Sequence, residues 1–248
     1  MKNSTDARKL IDFISSSPSP YHVVENMAKK LSSLGYRELD ERGPFNLEKG
    51  QCCFVRRNSS SMIAFRIPQE RFTSFHCVSA HTDSPTFKIK PNPVDTSSSH
   101  YSTLNVETYG GLVLNSWFDR PLSIAGRVYV RTDRGPEERL VDFDRDLVSI
   151  PSLAIHQNRQ VNDGVKISVQ KEMKPLLSTD MDRDVFLSLL SDRLCAGKDD
   201  ILDYDLFLYN RTQPGIWGAE GEFVSSPKLD DLMCAYSAFR ALCEAEGS

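Results

Sequence analysis

Phe75-His76-Cys77-Val78-Ser79-Ala80-His81-Thr82-Asp83-Ser84-Pro85 is the stretch on which the fold turns. Its first part, Phe75 to Ala80, reads as a short apolar strand, and its second part breaks into polar and turn-forming residues. A strand that runs straight into His-x-Asp puts titratable groups just past its carboxyl end, where open α/β sheets carry ligands and catalytic groups. Residues two apart on an extended segment point to the same side, so His81 and Asp83 are expected to be neighbours. His81 can offer an imidazole to zinc, and Asp83 can orient that ring or accept a bond from it. The triplet alone also fits a histidine satisfied at a strand end.

Upstream, the chain alternates helices and strands. Leu10, Ile11, Phe13 and Ile14 recur at helical spacing after Ser4, Thr5 and Asp6, any of which can cap. A second helix starts at Ser19 as N-cap with Pro20 in first position. It carries a stripe of Val24, Met27, Ala28 and Leu31 and closes at Gly35. Cys52 to Arg56 and Ser61 to Ile67 read as strands.

Downstream, residues 91–99 are rich in Pro, Ser, Asn and Asp and read as a linker. Strands are expected at Leu104 to Tyr109, Ser123 to Arg131, Leu140 to Phe143 and Val165 to Gln170. A helix carries Val185, Phe186, Leu189, Leu190 and Cys195, and an alternating strand puts Leu202, Tyr204, Leu206 and Leu208 on one face. The α/β pattern returns at Phe223 and leads through Lys228-Leu229-Asp230-Asp231 into a helix with Leu229, Leu232, Met233, Tyr236 and Phe239. Asp230 fits two readings: a carboxylate bridging two metal ions, or half of a capping pair at a helix start. This organisation predicts an α/β domain in two pieces, residues 1–90 and 215–248, interrupted by a β-rich mixed α/β domain at 91–214. A further strand is expected after the last helix, so the first domain reads as cut rather than finished.

Bulk properties narrow the function classes. The 248 residues are 40% hydrophobic and 26% charged, with a net charge of −4 and acids and bases interspersed. No basic stripe and no G-x-x-x-x-G-K-[ST] occurs, which argues against nucleic acid and nucleotides as partners. No apolar run is long enough to span a bilayer, and the first residues do not read as a secretion signal. The six cysteines are irregularly spaced and read as reduced, buried small hydrophobes in a cytoplasmic protein.

Taken in order, Ser79-Ala80-His81-Thr82-Asp83-Ser84-Pro85, Val106 to Gly111, Trp117 to Arg127, Ile150-Pro151-Ser152-Leu153-Ala154-Ile155-His156 and Ser226-Pro227-Lys228-Leu229-Asp230-Asp231 resemble the M18 (aspartyl aminopeptidase) family of metalloaminopeptidases. The Trp117 to Arg127 run and Val161-Asn162-Asp163-Gly164 are similar to its bacterial branch. The resemblance implies a zinc-peptidase-type catalytic domain, a sheet flanked by helices and incomplete here, with an inserted dimerisation domain. It implies His81 as a terminal metal ligand, Asp230 as the bridging metal ligand, and Asp83 as the catalytic-site acid beside the histidine. It implies that His156 contacts substrate in a neighbouring subunit. From the residues alone, His156 also fits a packed or surface histidine, and Asp119 and Arg120 fit a plain ion pair.

The resemblance further implies zinc, two ions per site with cobalt or manganese as alternatives, and peptide substrates losing single acidic or neutral N-terminal residues (EC 3.4.11.-). Homo-oligomers, dimers building a dodecamer, are implied as well. Later family ligands, a Glu-Glu pair, an Asp and a His, have no counterpart after Asp230. Glu137-Glu138 lies instead in a charged, turn-like stretch of the insertion. Two protein ligands hold zinc poorly, so the chain as given is expected to have little peptidase activity. The rival expectation is an inactive, truncated protein that dimerises and binds no metal.

Overall fold

A computed structural model describes residues 3–164 and 166–245. The chain divides into two compact units, Met1–Ser84 with Pro214–Ser248, and Pro85–Gln213. Both mix helices and sheet, so the protein is of the α/β class.

The first unit opens with α1 (Asn3–Ser15) and α2 (Pro20–Ser33). Ser19, extended at φ −139 and ψ 164, accepts a hydrogen bond from the His22 N–H and caps α2. Gly35 follows with φ +84, a left-handed conformation that a side chain opposes. Val24, Met27, Ala28 and Leu31 are buried, as the stripe requires. The α1 boundary is earlier than expected: Ser4, Thr5 and Asp6 lie inside the helix, so none of them caps it.

Strands β1 (Arg37–Glu38), β2 (Cys52–Arg57) and β3 (Ser61–Arg66) make a sheet in that order, β1 parallel to β2 and β2 antiparallel to β3. Phe75 to Ala80 is not a strand. A strand is a hydrogen-bonded pairing, and no strand among the described residues pairs with this stretch. Phe75 and Val78 are 82% and 77% exposed, so burial does not hold it either.

The second unit contains β4 (Thr86–Asp95), β5 (Ser102–Tyr109), β6 (Leu122–Thr132), β7 (Gly135–Asp142), the short α3 (Val169–Glu172), β8 (Leu176–Ser178), α4 (Val185–Leu194) and β9 (Ile201–Asn210). Six strands form one antiparallel sheet in the order β7-β6-β9-β4-β5-β8. Alternate residues such as Phe87, Ile89, Ile124, Val128, Leu206 and Leu208 turn into a core closed by Phe186 and Leu190 of α4. Each such side chain stabilises the fold by about 1.5–3 kcal/mol. Gly126 has no room for a side chain, because a Cβ there meets the Asp205 carbonyl oxygen of β9 at 2.0 Å.

Several expectations fail in this unit. The 91–99 stretch is not a linker up to Asp95: β4 continues through Pro91 and Pro93, which a register shift between Ile89 and Val94 accommodates. Val165 lies outside the described residues, and the rest of Val165 to Gln170 forms no strand but runs into α3. Leu202 leaves the apolar face of β9 at another register shift and is 41% exposed. Glu137 and Glu138 sit on β7, where Arg139 and Arg127 pair with them, and not in a turn.

The chain returns to the first unit through the hairpin β10 (Gly215–Trp217) and β11 (Phe223–Ser225), then α5 (Leu229–Glu244). Leu232 and Ala235 pack with Ile14, Val23 and Met27, while Phe239 and Leu242 pack against the cluster of Leu31 and Phe54. Met233, placed on the apolar face by spacing, is 47% exposed. All six cysteines are free, but only Cys53 is buried, and Cys77, Cys195 and Cys234 are exposed. No described helix is long and apolar enough to cross a membrane.

Candidate metal centre

Two segments of the first unit, far apart in sequence, meet at one place. The first is His81-Thr82-Asp83, which Thr82 ties down by donating its hydroxyl to the Ser60 carbonyl at 2.7 Å. The second is the entry to α5. There Lys228, at φ +61, donates its ammonium to the carbonyls of Ile14 and Ser17 at the end of α1. Asp230 (φ −87, ψ 110) and Asp231 (φ −118, ψ 21) are not yet helical. The regular helix therefore begins after Asp231, and Lys228, at the start of the segment, makes no side-chain cap bond.

His81 Nδ1 lies 2.9 Å from Asp83 Oδ1 and 3.1 Å from the Asp83 carbonyl. Both partners accept only, so Nδ1 carries a proton, and when the ring is neutral its lone pair is at Nε2. That nitrogen is 3.4 Å from Asp230 Oδ1 and 3.7 Å from Asp231 Oδ2. Three electron-rich atoms from His81, Asp230 and Asp231 thus converge within 4.8 Å, the one such group of His, Cys, Asp or Glu among the described residues. The arrangement repels itself unless a proton or a cation enters it. Partial burial disfavours the charged ring, but the hydrogen bonds to Asp83 and the charges of Asp231 and Asp83 outweigh it and raise the His81 pKa. Asp230 is 80% exposed and Asp231 only 17%.

Asp231 went unrecognised in the sequence, where it read as half of a helix cap. Its Oδ2 accepts the His81 backbone N–H at 3.1 Å. Hydrogen bonds from the Cys234 thiol and the His81 N–H hold its pKa below the ordinary aspartate value. Its adjacency to Asp230 was the one sequence signal available.

His156 belongs to the second unit. It is exposed, in a turn closed by Gln157 N–H to the Ala154 carbonyl, with Leu153 and Ile155 also exposed. The Asp119–Arg120 ion pair is absent among the described residues. Asp119 instead accepts from the N–H and hydroxyl of Ser152, at the root of the segment that carries His156.

Comparison with known proteins places these features in a lineage. Residues 13–248 match the family model described as aminopeptidase I zinc metalloprotease (M18). The probable M18 family aminopeptidase 2 of Clostridium acetobutylicum is 42% identical over all of this chain. The chain spans 59% of that relative's length. The structure of Chaetomium thermophilum mApe1 superposes with a TM-score of 0.90 at 28% identity, covering 98% of this chain and 59% of that one. The S. cerevisiae mApe1 dodecamer, at 22% identity and a TM-score of 0.80, covers 98% of this chain and 56% of that one and shares the fold.

Proposed function

The chain belongs to the M18 family of zinc metalloproteases, and on that premise we propose that it serves a metal-dependent aminopeptidase that removes single acidic or neutral N-terminal residues from peptides. The observation that carries the reading is the convergence of the His81 Nε2 lone pair with the Asp230 carboxylate. An imidazole and carboxylates are a donor set that zinc accepts, and cobalt and manganese accept it too. The bond from His81 Nδ1 to Asp83 is the arrangement that fixes the tautomer of a ligating histidine.

In this reading His81 and Asp230 would hold zinc, Asp230 being the ligand that a two-ion centre would share. Bound there, zinc supplies Lewis acidity toward a peptide carbonyl and lowers the pKa of water. Asp83 acts through His81, keeping the proton on Nδ1. The exposed Asp230 keeps the centre open to a peptide terminus. His156 is assigned to substrate in a neighbouring subunit, where an imidazole can stabilise a developing oxyanion. The residues 1–90 and 215–248 are assigned to the catalytic domain and 91–214 to dimerisation. A dimer-based homo-oligomer is part of that proposal, and a cytoplasmic location rests on the reduced cysteines.

His81 and Asp230 are two donors, one short of what a catalytic zinc takes from protein, and Asp231 lies beside them. Two ions need further carboxylates to offset their repulsion. The exposure of Asp230 favours a second reading for the 248-residue polypeptide by itself: a dimerising, inactive protein without bound metal. Hydrolysis of aspartyl-, glutamyl- and leucyl-p-nitroanilide by the native protein, with and without chelator, tests the first reading. Release that stops on chelation and returns with zinc supports it, and metal-independent release sinks it. Zinc binding by the 248-residue polypeptide, measured by calorimetry, decides against the second.

A further inference from the structure

We propose that Asp231 is the positioning residue of this centre: its carboxylate holds the His81 backbone so that the imidazole faces Asp230. The inference rests on the metal-binding reading above. Asp230 and Asp231 are adjacent, yet their surroundings differ. Asp230 is 80% exposed, and its one ion-pair partner among the described residues is His81. Asp231 is 17% exposed, and its Oδ2 is engaged by the His81 N–H at 3.1 Å.

Among the described residues no other hydrogen bond joins the His81 main chain to α5. The segment from Phe75 to Ala80 is in no sheet and is exposed, so strand pairing does not set the height of His81. Thr82 anchors the following residue to the Ser60 carbonyl on the β2–β3 side. Asp231 supplies the anchor on the α5 side. A carboxylate accepting a backbone N–H is a charge-assisted bond, stronger than a neutral one. With the main chain held on one side by Asp231 and the ring held on the other by Asp83, both the position and the tautomer of His81 are determined. A ligand that must be held within about 0.5 Å needs such a support.

The test compares Asp231→Ala, Asp231→Asn and Asp231→Glu in the full chain. Two readouts are taken: zinc affinity by chelator competition, and hydrogen exchange of the His81 backbone amide in the metal-free protein. The alanine variant should weaken zinc binding by about 10–100-fold, the usual cost of losing a residue that supports a ligand. It should speed His81 amide exchange while the amides of Val23 and Phe54 stay as in the unaltered protein. The asparagine variant keeps an acceptor oxygen and should restore both readouts to near the original values.

An alanine variant with unchanged exchange and unchanged affinity overturns the proposal. So does an asparagine variant that loses zinc as fully as alanine, because Asp231 would then be a ligand itself. Should the alanine variant fail to fold, the glutamate variant decides. Its longer side chain keeps the charge but displaces the acceptor, so faster His81 exchange supports positioning and unchanged exchange overturns it. If the unaltered protein binds no zinc, the metal reading fails by itself, and the exchange comparison still tests the Asp231–His81 link.

Discussion

The two units treat their charges in opposite ways. On the sheet of the second unit, Arg127 is nearly buried and stands between Asp205 at 2.9 Å and Glu138 at 3.2 Å, while Lys88 reaches Asp205 at 2.6 Å. Asp205 and Glu138 each face a fixed cation there. In the first unit, Asp230 and Asp231 face an imidazole lone pair, and among the described residues neither pairs with Lys or Arg. The first arrangement is closed and needs nothing from outside. The second has no Lys or Arg at its centre among the described residues, and its two carboxylates beside one imidazole are a place for a proton or a metal ion.

The comparison breaks most sharply at Arg127. Arg127→Ala removes the cation beside Glu138 and leaves Asp205 with Lys88, and removal of one partner from a buried pair costs about 3–5 kcal/mol. Urea unfolding of the second unit should show that loss, with zinc affinity unchanged. If zinc affinity fell in step, the two charge systems would not be independent.

At the other centre the pattern reverses. His81→Ala should lower zinc affinity by about 100-fold and Asp83→Ala by about 10-fold, since one is a ligand and the other its support. Thermal unfolding should move little, because both side chains are substantially exposed. An Asp83→Ala protein with full zinc affinity would show that Nδ1 needs no carboxylate.

The smallest effect sharpens the picture of the closed unit. Asp95, bonded to the Lys174 ammonium and to the Ser97 N–H, has its pKa lowered from 3.8 to about 2. Its contribution to stability is present above pH 3.8 and is lost as pH falls through about 2. Stability measured from pH 5 to pH 2 should therefore decline less in Asp95→Asn. An identical decline would mean the pair contributes nothing.

Local chemistry was readable where the signal is local. Ser19, Pro20 and Gly35 bracket α2 because a cap oxygen, a fixed φ and a left-handed turn act within a few residues. Alternation identified β9, and apolar β-rich runs marked most of β5 and β6, although β6 is buried on both faces. The pattern failed at Phe75 to Ala80, where apolar residues have no paired strand. It failed at Pro91 and Pro93 too, where a register shift lets β4 pass through residues that normally end one. At the candidate centre, His81, Asp83 and Asp230 were legible as residue types in a motif. Asp231 was not, because its bond is to a main-chain N–H 150 positions away.

By itself, then, the sequence determined the α/β class, the family and the residue types that can meet a metal, because periodicity, caps and motif order are written along the chain. The tertiary structure alone decided which of two adjacent aspartates faces outward and which holds His81. It also decided that an imidazole nitrogen and two carboxylates share one space. Those outcomes depend on distances between segments that folding brings together, and no spacing along the chain encodes them.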